Sequence, residues 1–287
     1  MKGCPAAIVT MMDAMRQRVI CDAGASPASG AVWTAQNQHF AAIERDLPEE
    51  IAVAIMAGRR PAAVMIASPA DYADLGWGFA LTEGIAARPS DIEICSVTPE
   101  ASGVRVVLQL LGQAGAVRER VLPGRSGCGL CGVSDLKQAV RAVPRVASGG
   151  RMAPEVLHAA IAALEKHQPL NARTHAVHAA AHVRSDGSLT EVREDIGRHN
   201  ALDKLVGALA QAGIDPADGA VLLTSRASYE MVDKAAMAGV RILAAVSAPS
   251  ALALRKAQAA GMTLVGVARR DSFAVFSGAE RLGWRQT

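Results

Sequence analysis

The chain has 287 residues, 51% hydrophobic and 20% charged, with a formal net charge of +3. That is enough apolar material for one large or two ordinary domains, and its lysines, arginines and acids are scattered, with no basic block able to track a nucleic-acid backbone. No stretch approaches the ~20 uninterrupted apolar residues that span a bilayer, so a soluble, cytoplasmic protein is expected.

The chain opens with Lys2 and a brief apolar run that Asp13, Arg16 and Arg18 interrupt, too short for a secretory signal, so residues 1–30 are expected to form a mobile tail. Between 50 and 67, two apolar runs flank Gly58-Arg59-Arg60-Pro61 and predict strand, turn and strand. Ser68-Pro69 then predicts a helix start, serine as N-cap and proline in the first turn, with Tyr72, Leu75 and Phe79 at helical spacing. Short strands at 92–97 and 104–111 complete an α+β unit over 31–122. Residues 123–132 hold four glycines in ten and little that could anchor a core, so 123–135 reads as an exposed, pliable loop. A helix at 154–167, a strand at 174–183, a turn at Asp186-Gly187 and a strand running through Val192 begin a second unit, 136–287.

The pattern is clearest from Gly219 onward, with strands at 220–224, 240–246 and 263–268, and helices at 228–238 and 250–260 closed by Gly239 and Gly261. Right-handed crossovers make the three strands parallel, and ligands of such sheets sit beyond the strand carboxyl ends. Those ends read Thr224-Ser225-Arg226-Ala227-Ser228, Ser247-Ala248-Pro249-Ser250 and Ala268-Arg269-Arg270-Asp271-Ser272. Hydroxyls, arginines and two helix N-termini on one edge suit phosphate. Ser228 and Ser250 would also cap their helices in any protein, so the arginines carry this reading.

Five cysteines, an odd number with one close pair, do not make a secreted disulfide framework and fit a reducing compartment. The pair Cys128 and Cys131 could be half a zinc site, a dithiol redox centre or a nucleophilic thiolate with a helper. Zinc needs two further ligands, and the paired candidates His178 and His182 would stand about 13 Å apart along a strand. A thioredoxin-like centre needs a helix start, whereas here glycines lie on both sides. A flexible loop that moves a sulfur atom between two sites fits best, with Arg125 favouring the thiolate. Cys4, Cys21 and Cys95 have no such context.

The blocks Ser126-Gly127-Cys128-Gly129-Leu130-Cys131-Gly132, Glu194-Asp195-Ile196-Gly197-Arg198-His199-Asn200-Ala201-Leu202-Asp203-Lys204 and Ser225-Arg226-Ala227-Ser228-Tyr229-Glu230-Met231-Val232 resemble the signatures of the formate dehydrogenase accessory sulfurtransferases. The segment from Pro69 ending Leu81-Thr82-Glu83-Gly84-Ile85 is similar to another, and the likeness runs from about Arg45 to the C-terminus. The resemblance implies that a cysteine desulfurase loads a persulfide on Cys128, with Cys131 as its partner. The sulfur then passes to the molybdenum cofactor in its bis-molybdopterin guanine dinucleotide form, destined for formate dehydrogenase. It places cofactor contact at Val267, Ala268, Arg269, Arg270, Asp271 and Ser272, the strand end that the anion argument also selects; Ser225, Arg226 and Ser228 are cofactor-contact candidates from the anion argument. It further implies a homodimer, and an α/β fold of two domains, a smaller α+β N-terminal domain and a C-terminal three-layer αβα domain like cytidine deaminase. The zinc-binding cysteines of a deaminase are missing at 194–200 and 225–228, so neither zinc nor deamination is expected. Asp195, Arg198, His199 and Asn200 could then line the pocket, or simply cap a helix with a solvated charge cluster. Where relatives have a glycine pair, this chain has Thr174-His175-Ala176-Val177-His178, which leaves the pocket's shape near His175 open. A cofactor-binding chaperone that needs no thiol is the main competing reading, and a zinc hydrolase of bases a third.

Overall fold

A computed structural model describes residues 24–36, 38–111, 142–269 and 271–284. Strands β1 (Ala25–Thr34) and β2 (His39–Pro48) pair as an antiparallel hairpin. Residues 25–30, assigned to the tail from sequence, therefore belong to a strand. Alanine, serine, proline and glycine fill that stretch, and it lacks the β-branched alternation that marks strands.

Strands β3 (Ile51–Ala57), β4 (Arg60–Ala67), β5 (Ile92–Glu100) and β6 (Gly103–Leu110) form a second sheet in the order β4-β3-β6-β5, with β3 and β6 parallel. Gly58, at φ 57, makes the expected turn between β3 and β4. Helix α1 runs Tyr72–Thr82, not from Ser68, and begins after Asp71 in a left-handed conformation without a side-chain cap. Ser68 is buried instead, its polar atoms engaged by groups more than 120 residues away in sequence. Tertiary partners outbid the local cap.

Next come α2 (Pro154–Ala163) and its short 3₁₀ extension Leu164–His167, then α3 (Pro169–Thr174). The predicted strand at 174–183 is thus shortened at its start. Proline opens α3, and the Glu194 carboxylate accepts the N–H groups of Leu170 (2.9 Å) and Asn171 (2.8 Å). Those are two of the orphan donors of a helix start. Strands β7 (His178–Arg184) and β8 (Leu189–Asp195) follow, then α4 (Arg198–Ala212), β9 (Gly219–Leu223), α5 (Tyr229–Met237), β10 (Ile242–Ala245), α6 (Ala251–Ala260), β11 (Thr263–Gly266) and β12 (Ala274–Ser277).

The six strands from β7 to β12 form one sheet in the order β12-β11-β10-β9-β7-β8, and β9, β10 and β11 are parallel as predicted. One face packs Leu157, Ala160 and Leu164 against Val183, Leu222 and Val265. The other packs α4, α5 and α6 through Leu202, Leu205, Met231, Val232 and Ala257. This second core continues without a break into Val53, Ile55, Leu75, Phe79 and Val106, so the two units expected from sequence share an interior.

The seam between them is the crossing of α1 and α4. A Cβ on Gly78 would stand 1.7 Å from the Asp203 carbonyl oxygen, and one on Gly207 would stand 1.9 Å from that of Asp74. Glycine at both positions lets the helix backbones touch. Among the described residues, no helix is long and apolar enough to cross a membrane.

Candidate functional site

A cavity of about 470 Å³ opens beyond the carboxyl ends of β9, β10 and β11, a size usual for small-molecule sites. Thr224, Val246, Ala268 and Arg269 line it from the strand ends, and Val177 and His178 from the start of β7. Thr224 fixes the floor by accepting the Ala179 N–H at 2.8 Å through its hydroxyl oxygen. The opposite wall comes from α2, its extension and α3, through Ile161, Leu164, Glu165, Gln168 and Asn171. Helical periodicity accounts for these wall residues as a packing face, and only the topology sets them over the strand ends.

At the mouth, Arg269 donates through Nη1 to the carbonyl oxygens of Val246 and Ala268, and its backbone N–H donates to Ser272 O at 2.7 Å. Asp271 accepts the Ser272 hydroxyl at 3.1 Å. The two carbonyl contacts hold the guanidinium at the cavity edge. Val267 precedes it at φ 53, a left-handed conformation costly for a β-branched residue. Its N–H donates to Ser247 O at 3.2 Å and that of Ala268 to Ala245 O at 3.3 Å, so the end of β10 holds the turn in place.

Of the residues predicted to contact a ligand, Ala268 and Arg269 line the cavity, whereas Val267, Asp271 and Ser272 flank them in the chain without lining it. Ser225, Arg226 and Ser228 lie on the adjoining turn into α5, with Arg226 exposed. The Ser225 hydroxyl donates to Arg226 O at 3.2 Å and that of Ser228 to Glu230 at 2.7 Å, so Ser228 occupies the N-cap position of α5 without capping through its side chain. Cys128, Cys131 and Arg270 lie outside the described residues.

Asp195 is placed differently from the pocket-lining role considered for it. It is fully buried and paired with fully buried Lys204 at 2.8 Å. Its other contacts are the N–H of Ser68 (3.0 Å), the N–H of Gly197 (2.8 Å) and Asn200 Nδ2 (3.0 Å). Lys204 also donates to Ser68 O, Asn200 donates to Ile66 O, and the Ser68 hydroxyl accepts the Ile196 N–H. Asp195 and Asn200 therefore clamp the end of β4 to the start of α4. A second buried knot joins Lys234 to Asp203, Glu83 and Thr82 at 2.9–3.0 Å. Asp195, Asn200, Asp203 and Lys204 of one signature block and Thr82 and Glu83 of another thus hold the seam together.

Arg198 and His199, at the start of α4, are not among the residues that line the cavity, but they act electrostatically on His178, which does. His199 Nε2 is 3.8 Å from Glu230 Oε2, near enough for charge attraction but beyond a hydrogen bond. Burial pushes the Glu230 carboxyl up, but His199 and the Ser228 hydroxyl outweigh it and hold the group at about 2. Burial, reinforced by Arg198 and His199, pushes the His178 imidazole down in spite of Asp195, which favours a neutral ring.

Fold and site together define a mixed α/β protein with a ligand cavity at the carboxyl edge of parallel strands. The fold matches the crystal structure of a chain assigned as a formate dehydrogenase accessory protein from Desulfotalea psychrophila, with a TM-score of 0.75 and 23% identity over 90% of this chain and 99% of that one. Two curated relatives, each named sulfur carrier protein FdhD, are 46% identical. The one from Cupriavidus necator aligns over 240 residues, 83% of either chain, and the one from Agrobacterium fabrum over 243 residues, 83% of this chain and 90% of that one. The model of the FdhD/NarQ family matches residues 48–283, and the chain belongs to that family.

Proposed function

We propose that this protein is a sulfur carrier serving formate dehydrogenase. In the loading step, the Cys128 thiolate attacks the outer sulfur of a cysteine desulfurase persulfide. The donor S–S bond breaks, the donor cysteine leaves as thiolate, and a new S–S bond forms on Cys128 with no net change in oxidation level. Cys131 relays or resolves this persulfide, and the acceptor is the bis-molybdopterin guanine dinucleotide form of the molybdenum cofactor, bound with its phosphates toward Arg269 and Arg270. The reading of 136–287 as a deaminase-like domain joined by a sulfur-bearing loop to 31–122, and of the protein as a homodimer, belongs to the same proposal.

The observation that carries the ligand half is the 470 Å³ cavity, with Arg269 fixed at its mouth where the sequence argument placed an anion. The sulfur half is supported by the names of relatives 46% identical over most of the chain. The test is intact-protein mass after incubation with a desulfurase and cysteine. A gain of about 32 Da, one sulfur atom, is expected, and it should vanish in Cys128→Ala. Full formate dehydrogenase activity supported by a Cys128→Ala/Cys131→Ala double variant would leave only a thiol-free cofactor chaperone.

A further inference from the structure

A hairpin of two strands is at best marginally stable in water, and lasts when a third strand or a helix packs on it. Strands β1 and β2 have such cover at their base, where Asp46 accepts Arg173 Nε of α3 at 2.8 Å and Gly24 lies against Leu170. The register pairs Asp46 with Pro27, Glu44 with Ser29 and Phe40 with Trp33, and alternation sets all of these on one face. Helix α3 is 6 residues long, about 9 Å, whereas the face runs about 20 Å from Asp46 to Phe40. Past α3 the face is open: Glu44 is exposed, and so are Trp33 (51%) and Phe40 (70%). Paired aromatic rings left in water mark a surface that something covers.

The sequence just before Gly24, which lies outside the described residues, carries a matching pattern. Ile8, Met12, Met15 and Val19 recur at the i, i+4, i+7, i+11 spacing of one helix face. Asp13, Arg16 and Arg18 interrupt the apolar run along the chain but leave that stripe clean, and on a helix the two arginines flank it. We infer that residues 8–20 dock as an amphipathic helix on the open end of this face and complete the arm. The tether selects this occupant: the segment joins the arm at its base, where Gly24 O accepts the Glu49 N–H at 3.0 Å, and Asp22 and Gly24 suit the reversal that turns the chain back along β1. Length agrees, since about thirteen helical residues span ~20 Å, the run from Asp46 to Phe40. Charge agrees as well. In that direction Arg16 and Arg18 come beside the Glu44 carboxylate, and Ile8 reaches Trp33 and Phe40.

The experiment is hydrogen–deuterium exchange of the full chain, read by mass spectrometry, on the unaltered protein, on the arm variant Trp33→Ser/Phe40→Ser and on the segment variant Met12→Asp/Met15→Asp. Unchanged protection of β9 to β11 verifies that each variant is folded. Amides 9–20 should exchange at least about 10-fold more slowly than those of an unstructured chain, and the arm variant should return them to that rate. The segment variant should in turn speed exchange at residues 29–34 and 39–44, and raise acrylamide quenching of the fluorescence that Trp33→Phe removes. Unprotected amides at 9–20 in the unaltered protein overturn the inference, as does an arm indifferent to the segment variant. Protection that survives the arm variant also overturns it, because the segment then sits on another surface, such as that of exposed Val64 and Ile66. So does protection lost on dilution as copies of the chain separate, which places the segment on a second copy's arm.

Discussion

Replacing Lys204 with methionine tests whether the buried Asp195–Lys204 pair, which grips the Ser68 backbone, helps to join the two halves of the molecule. Both side chains are fully buried and 2.8 Å apart, so the substitution strands a carboxylate in the interior. Removing one partner of a buried pair costs about 3–5 kcal/mol. Asp195 would keep three donors, the N–H groups of Ser68 and Gly197 and Asn200 Nδ2, which places the loss near the lower end, about 3 kcal/mol. At about 2–4 °C per kcal/mol for a chain of this size, the melting temperature should fall by roughly 6–12 °C. Urea unfolding gives the free energy directly, read as a lower midpoint at constant slope. The double variant Lys204→Met/Asp195→Asn removes both charges and keeps the amide's hydrogen bonding, so it should be at least ~1.5 kcal/mol less destabilised than the sum of the singles. A loss below about 1 kcal/mol in Lys204→Met, or strict additivity in the cycle, would refute the clamp.

Three further outcomes follow from the same geometry. Gly78→Ala puts a methyl 1.7 Å from the Asp203 carbonyl, where backbone must move to admit it, so about 1–3 kcal/mol or more should be lost; wild-type stability by urea unfolding would mean the α1–α4 crossing is looser than drawn. The Glu230 carboxyl, held at about 2 against an ordinary 4.5, contributes stability that is complete above pH 4.5 and lost as pH falls through 2. Stability should therefore fall on acidification through this range, and Glu230→Gln should flatten that limb of the pH–stability curve; parallel wild-type and variant curves would count against the His199–Glu230–Ser228 arrangement. Burial, with Asp74 nearby, pushes the Cys95 thiol up to about 11, so at pH 8 its alkylation should run about 100-fold slower than that of an ordinary thiol, and Cys95→Ala should load sulfur normally; rapid labelling of Cys95 would contradict its placement.

Local chemistry made the strands and helices of the parallel half readable. Gly239 and Gly261 take the left-handed conformation behind α5 and α6, Ser250 caps α6 by accepting the Ala253 N–H, and short apolar runs become β9, β10 and β11. The cavity edge was readable for the same reason, since parallel strands leave one edge for ligands and the arginine sits there. The β1–β2 hairpin, the antiparallel β12 and the start of α1 were not readable. Each depends on pairing or contacts with distant chain rather than on its own composition. Ser68 shows why: its sequence is that of an N-cap, and its fate is set by Lys204, 136 residues away.

The same logic divides the signature residues by task. Asp195 and Asn200, weighed in sequence as pocket residues or part of a solvated cluster at a helix start, are buried, as are Asp203 and Lys204 farther along the same block, and with half-buried Glu194 all of them hold chain to chain. Polar groups removed from water persist only where each finds a partner, and Ser68, Ile66, Thr82 and Glu83 supply such partners from across the seam. Arg198 and His199, flanked by them in sequence, lie close enough to cavity-lining His178 to act on its charge. A change at Lys204 should therefore reach the ligand cavity by moving the start of α4 rather than by altering charge at its mouth. Ligand affinity that survives Lys204→Met at temperatures where the chain remains folded would show that the cavity is built by β9 to β11 and α2 alone.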